Sequence, residues 1–168
     1  LALCGQHTAG STAVLYRNND SALPLIDLLD SQGIPFGMRS MEDTFFTSRL
    51  VSDIGDIIHF SQEPGNEELF FRIYYKPILW ELLRHRDLKS YARDSVTGIL
   101  DQLPLLQTDS AEAGLKRIWN SLGYGKYAKS RGTDLDKFYI LQRLAARQPS
   151  LEALLSRLEA LRTLLKQP

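Results

Sequence analysis

Leu151, Leu154, Leu155, Leu158, Leu161, Leu164 and Leu165 recur at steps of one, three and four residues, with Glu152, Arg157, Glu159 and Arg162 between them. That spacing puts the leucines on one side of a helix and the charges on the other, so this segment must bury a stripe against something else. Two heptads are short for a dimer zipper, and the stripe reads as a core or subdomain-packing helix. The same periodicity recurs upstream. Leu50, Val51, Ile54, Ile57 and Ile58 follow Thr47 or Ser48 as a cap; Ala111, Leu115, Ile118, Trp119 and Leu122 follow Ser110; Leu135, Phe138, Ile140, Leu141 and Leu144 follow Asp134. Each run starts at a side chain that can accept from a free helix N–H, and Gly123 suits a left-handed helix end. The pattern predicts a mainly α protein.

The N-terminal part breaks this pattern. Ala13, Val14, Leu15 and Tyr16 form an apolar run bounded by Gly10-Ser11 and by Asn18-Asn19-Asp20, as a buried strand would be. Ser21 as cap, Pro24 in the first turn and Leu25, Ile26, Leu28 and Leu29 then predict a helix that Gly33 stops, and Ile34 to Met38 reads as a second strand. Strand, helix, strand at this spacing predicts a short βαβ crossover, whose ligand side lies beyond the carboxyl ends of its strands. Tyr16 and Arg17 stand at that end. Arginine offers a planar fork to phosphate oxygens, and tyrosine offers a flat face to a nucleobase.

The second informative stretch, Gly123-Tyr124-Gly125-Lys126-Tyr127-Ala128-Lys129-Ser130-Arg131-Gly132, combines glycines, cations and tyrosines within ten residues. Glycines let backbone amides approach a phosphate, and Lys126, Lys129 and Arg131 add salt-sensitive attraction. A further basic cluster, Arg84-His85-Arg86, precedes Lys89, Tyr91 and Arg93 and reads equally as a backbone grip or as a solvated helix face. Asp53 and Asp56 read as a solvated acidic face rather than a metal pair, and His59 has no partner histidine at ligand spacing, so no metal site is expected.

Charge is balanced overall but not along the chain. Residues 1–71 hold 3 Lys/Arg against 10 Asp/Glu, net −7, whereas residues 72–168 hold 17 against 10, net +7. A polyanion contact would then fall in the second part. The single cysteine, Cys4, excludes an internal disulfide. The sequence has neither an apolar run of membrane-spanning length nor the start of a signal peptide, and a cytoplasmic setting is expected. A start at Leu1 and an end at Gln167-Pro168 suggest an excised piece of a longer protein.

The string Ala13-Val14-Leu15-Tyr16-Arg17-Asn18-Asn19, then a helix, Gly33-Ile34-Pro35-Phe36 and Phe45-Phe46 before a helix rich in Asp and Ile, resembles motif IV and its sequel in the UvrD/Rep/PcrA helicases of superfamily 1. The identity that carries the resemblance lies in residues 13–60; beyond them only the order of elements matches. The resemblance implies that residues 1–95 are part of the second RecA-like domain and residues 96–168 a reduced helical insertion. It implies that Tyr16 stacks on adenine, that Arg17 reaches the γ-phosphate of ATP, and that Gly123, Tyr124, Gly125, Lys126, Lys129 and Arg131 touch duplex DNA at a single-strand/double-strand junction. ATP and Mg2+ would serve the full-length enzyme, a monomer whose other RecA-like domain completes the cleft. The 168 residues contain no G-x-x-x-x-G-K-[ST] phosphate loop and no Walker B pair, so this piece by itself is expected to bind no cofactor and hydrolyse nothing. After Pro77 the family's Gly-Ile-Gly turn is replaced by Ile78-Leu79-Trp80. Alternatives are a helicase-nuclease subunit with the same motif, and a non-catalytic helical adaptor that binds protein through the leucine stripe.

Overall fold

A computed structural model describes residues 12–38, 43–74 and 101–166. The Arg84-His85-Arg86 cluster, the Pro77 region and the expected boundary at residues 95 and 96 lie outside the described residues.

The helices begin and end where local chemistry supplies the missing hydrogen bonds. Asn18 Oδ1 accepts from the Ser21 amide at 2.9 Å, and a short 3-10 turn, Asp20–Ala22, leads into α1, Leu23–Ser31, with Pro24 in its first turn. Ala22, not Ser21, stands at the N-cap of α1, and the Asn18 side chain caps the turn before it. Gly33, at φ +65°, ends α1, and the Ile34 amide returns to the Leu29 carbonyl at 2.9 Å, which satisfies a carbonyl that the helix leaves open.

Helix α2, Arg49–Gln62, is capped by Ser48, whose Oγ accepts from the Val51 amide at 3.4 Å. Helix α3, Glu67–Tyr74, starts at Asn66, whose side chain takes the Leu69 amide at 3.2 Å, and carries Glu67 and Glu68 in the first turn, where the helix dipole favours them. A 3-10 turn, Leu103–Gln107, follows.

Helix α4, Ala111–Lys116, opens on Ser110 and widens at Arg117–Ser121 into a single π turn. The extra residue re-aims the side chains beyond it. Within this turn Trp119 stacks on Phe138, ring centroids 3.8 Å apart and planes within 16°. Asp109 accepts two hydrogen bonds from Arg117, at 2.6 and 3.1 Å, which hold the start of the widened turn and raise the Arg117 pKa. Gly123, at φ +79°, separates this turn from α5, Tyr124–Ser130; α6, Asp136–Ala145, and α7, Leu151–Lys166, complete the fold.

Helix α2 lies at the centre, against α3, the 103–107 turn, α6 and α7, while α6 also packs on α1, α4 and α7. Leu50, Ile54, Ile57 and Ile58 of α2 share one core cluster with Leu115, Ile118, Leu141, Leu144, Leu154 and Leu161. Helices from both sides of residue 95 thus enclose the same core. Of the leucine stripe, Leu151, Leu154, Leu158 and Leu161 are buried within the chain and Leu155, Leu164 and Leu165 are half-buried. At about 2 kcal/mol per buried leucine, the stripe is a principal source of stability rather than a spare surface.

The expected βαβ unit is not found: among the described residues there is no strand. Residues 12–16 and 34–38 carry no regular structure, and Val14 and Leu15 are 55% and 95% exposed. A strand exists only with a neighbour that takes its N–H and C=O groups, and neither segment has one among the described residues. The apolar run was legible; its pairing was not.

Candidate nucleotide and nucleic-acid contact sites

Tyr16 and Arg17 occupy the bend that leads into the Asn18-capped turn, and both are exposed, Tyr16 by 39%. Partial burial pushes the Tyr16 phenol above its ordinary pKa, so the ring is neutral at any physiological pH. Among the described residues Arg17 takes part in no ion pair. A planar ring and a guanidinium, side by side in sequence and open to solvent, can serve a flat heterocycle and an anion. Three residues further on, the bend is fastened. Asp20 is buried, its Oδ1 accepting from the Thr44 hydroxyl at 3.1 Å and its Oδ2 from Lys137 Nζ at 2.7 Å.

The 123–132 segment is a helix between two left-handed glycines, Gly123 and Gly132 at φ +64°. Its residues divide by face. Tyr124 is 1% exposed and donates its hydroxyl to Asp53 Oδ2 at 2.9 Å. Burial first, then the Asp53 charge and hydrogen bond, push the Tyr124 phenol well above its ordinary range. Gly125 faces the Trp119 indole so closely that an added Cβ would lie 2.7 Å from Cε2 and Nε1. Lys126, Lys129 and Arg131 are exposed, and the Arg131 guanidinium carbon sits 5.5 Å from the Tyr127 ring centroid. Among the residues expected to meet DNA, these three cations reach solvent, while Tyr124 and Gly125 serve the core. The glycines end helices or admit a neighbouring ring; they form no open loop of amides, because Gly125 lies inside α5 and Gly123 and Gly132 flank it.

Sequence reasoning missed Asp53 and the aspartates that tie the two halves together. Asp53, expected on a solvated face, is 2% exposed. Asp27, also 2% exposed, accepts from Arg157 Nε at 2.5 Å and has Arg147 at 3.8 Å, while Asp30 pairs with Arg157 at 2.8 Å. Burial works against the Arg157 charge, yet its hydrogen bonds to Asp27 and Asp30 prevail and raise its pKa. Asp43 receives Arg162 at 3.0 Å and Lys166 at 3.9 Å. Each acid comes from residues 1–71 and each base from residues 72–168, and that opposite net charge was the available signal.

Among the described residues no group of three or more His, Cys, Asp and Glu could hold a metal ion, and no helix is long and apolar enough to cross a membrane. Comparison of the chain with protein-family models, with curated proteins and with solved structures finds no match.

Proposed function

We propose that this chain is part of an ATP-dependent DNA helicase of the UvrD/Rep/PcrA type, a cytoplasmic monomer that separates strands at a DNA junction. The reading is carried by one observation: Tyr16 and Arg17 are adjacent, exposed and placed on a bend fixed at Asp20. In the complete enzyme Tyr16 holds the adenine ring and Arg17 stabilises the charge that develops on the transferring γ-phosphate. The phosphate loop and the Mg2+ site belong to the other RecA-like domain, and ATP sits between the two. Residues 12–17 and 34–38 join the RecA-like sheet when its remaining strands flank them, which covers Val14 and Leu15 and gives their backbone groups partners. Lys126, Lys129 and Arg131 contact duplex phosphates without reading sequence.

The experiment begins with the reading frame that encodes this chain. A Gly-Lys-Thr or Gly-Lys-Ser phosphate loop upstream makes the complete ATPase available. In that enzyme Arg17→Ala lowers kcat for DNA-stimulated ATP hydrolysis by about 10³-fold with little change in KM, the pattern of a group that acts on the transition state. Tyr16→Ala raises KM for ATP instead. An Arg17→Ala enzyme with unchanged kcat, or a reading frame without a phosphate loop, overturns the reading.

A further inference from the structure

Lys137 lies between the two segments singled out above. Its Nζ is 2.7 Å from Asp20 Oδ2 and 3.4 Å from Asp134 Oδ2. Asp20 comes three residues after Arg17, and Asp134 two residues after Gly132, which closes α5. Each aspartate gives one oxygen to another donor and turns the other to the lysine. Asp20 Oδ1 takes the Thr44 hydroxyl at 3.1 Å, and Asp134 Oδ1 takes the Asp136 amide at 3.0 Å. Both carboxylates are thereby held in orientation, and Lys137 is held by both.

The position of this lysine is itself informative. It is the second residue of α6, in the helix turn where the dipole disfavours a cation. Nothing in the helix calls for a lysine there; the Asp20 carboxylate, 12% exposed at its side chain, does. The Lys137 side chain is itself only 16% exposed, so its reach is set by packing and not by solvent.

We propose that Lys137 is a positioning residue that couples the Tyr16–Arg17 bend to the 123–132 segment, so that a displacement at either one is felt at the other. The proposal rests on the reading of these segments as nucleotide and DNA contacts. Under that reading Lys137 is where engagement of duplex by α5 adjusts the nucleotide-facing pair. The path is short: the Asn18-capped turn, Asp20, Lys137, Asp134, whose half-exposed side chain is held at the Asp136 amide, and the Gly132 and Thr133 amides that return to Lys129 and Ala128 at 3.2 and 3.1 Å.

A double-mutant cycle on the 168-residue chain tests the coupling without any ligand. Gly132→Ala disturbs the left-handed end of α5. Amide hydrogen exchange at Ser21 and Ala22, whose N–H groups bond to Asn18 Oδ1 and the Asn19 carbonyl, reports on the far bend. Ser21 and Ala22 exchange through local opening, so their rates are compared directly, and buried α7 amides, which exchange through global unfolding, report any loss of overall stability separately. Gly132→Ala is expected to speed exchange at Ser21 and Ala22 about threefold in the parent chain and in Lys137→Arg, and to leave it unchanged in Lys137→Gln. An effect confined to residues 128–136, or one equally large in Lys137→Gln, overturns the coupling. A 20-base-pair DNA duplex supplies the second arm. Protection of residues 126–132 together with slowed exchange at Ser21 and Ala22 supports the proposal, and protection of 126–132 alone overturns it. A duplex that does not bind removes the DNA reading of α5, and the Gly132→Ala cycle then decides the coupling independently.

Discussion

The Tyr124 hydroxyl donates to Asp53 Oδ2 at 2.9 Å, joining α5 to α2 in the interior of the protein. A hydrogen bond to a buried carboxylate is stronger than one between neutral groups, and its loss leaves Asp53 short of a donor. Tyr124→Phe is expected to cost about 2 kcal/mol, read as a lower urea midpoint with an unchanged slope. An unshifted midpoint would show that the bond merely replaces water.

The same residue sets an alkaline limit. Tyr124 has a folded-state pKa above its ordinary value of 10.0, so its contribution is fully present below pH 10 and is lost as pH rises further. Above that point the unfolded chain releases a proton that the folded chain keeps. Wild type should therefore lose about 1 kcal/mol more than Tyr124→Phe between pH 10 and 11. Parallel stability curves for the two proteins would contradict this.

Gly125 is required by an aromatic neighbour rather than by its backbone angle. A Cβ there would lie 2.7 Å from the Trp119 indole, which is stacked at 3.8 Å on Phe138 and has little room to retreat. Gly125→Ala gains helix propensity but overpacks a rigid ring, with a net cost of about 1–3 kcal/mol. Near-ultraviolet circular dichroism should lose the signal of the Trp119–Phe138 pair. A thermal midpoint equal to or above that of wild type would mean that the ring moves freely.

The opposite charges of the two halves meet inside the molecule. Arg157 bridges Asp27 and Asp30, and Arg157→Ala leaves Asp27, 2% exposed, with Arg147 at 3.8 Å as its remaining ion-pair partner among the described residues. Removing one side of a buried pair costs more than the pair contributed, about 3 kcal/mol here. Arg157→Ala together with Asp27→Leu should recover much of that loss, because an apolar pair leaves no stranded charge. A double variant as unstable as the single one would place the defect in packing instead.

What the sequence made legible follows from range. Helix starts at Ser48 and Ser110 depend on side chains within three residues of the amides they serve, and both appear as read, whereas the start read at Asp134 falls one residue later, with Leu135 at the N-cap and Asp134 holding the Asp136 amide. The leucine stripe depends on period alone, and it is buried as that period requires. Apart from the caps at Ser21 and Asp134, which are local misreadings, the misread features depend on distant partners. Asp53 looks solvated until Tyr124 is brought to it, and Asp27 until Arg157 is. Val14 and Leu15 look like a strand because the apolar run is real, but no pattern along one segment states which other segment will pair with it. Tyr124 and Lys126 are near neighbours in a run that looks uniformly functional, and only the helix periodicity of α5 sends one inward and the other outward.

That division makes the nucleic-acid prediction specific. If α5 contacts duplex phosphates, the contact comes from Lys126, Lys129 and Arg131, which are exposed, and not from Tyr124, which is 1% exposed. Each phosphate contact adds about 0.9 to the steepness with which the binding constant falls with salt. Replacing all three cations with alanine should therefore flatten the slope of log K against log salt by about 2 to 3, with less from Arg131 because its guanidinium already rests on the Tyr127 ring. Fluorescence anisotropy with a labelled duplex across about 50 to 200 mM salt measures that slope directly. Tyr124→Phe serves as the control, since it alters stability without removing a charge. A triple variant whose slope matches that of wild type assigns the three cations to an ordinary solvated helix face, and the duplex contact must then be sought elsewhere.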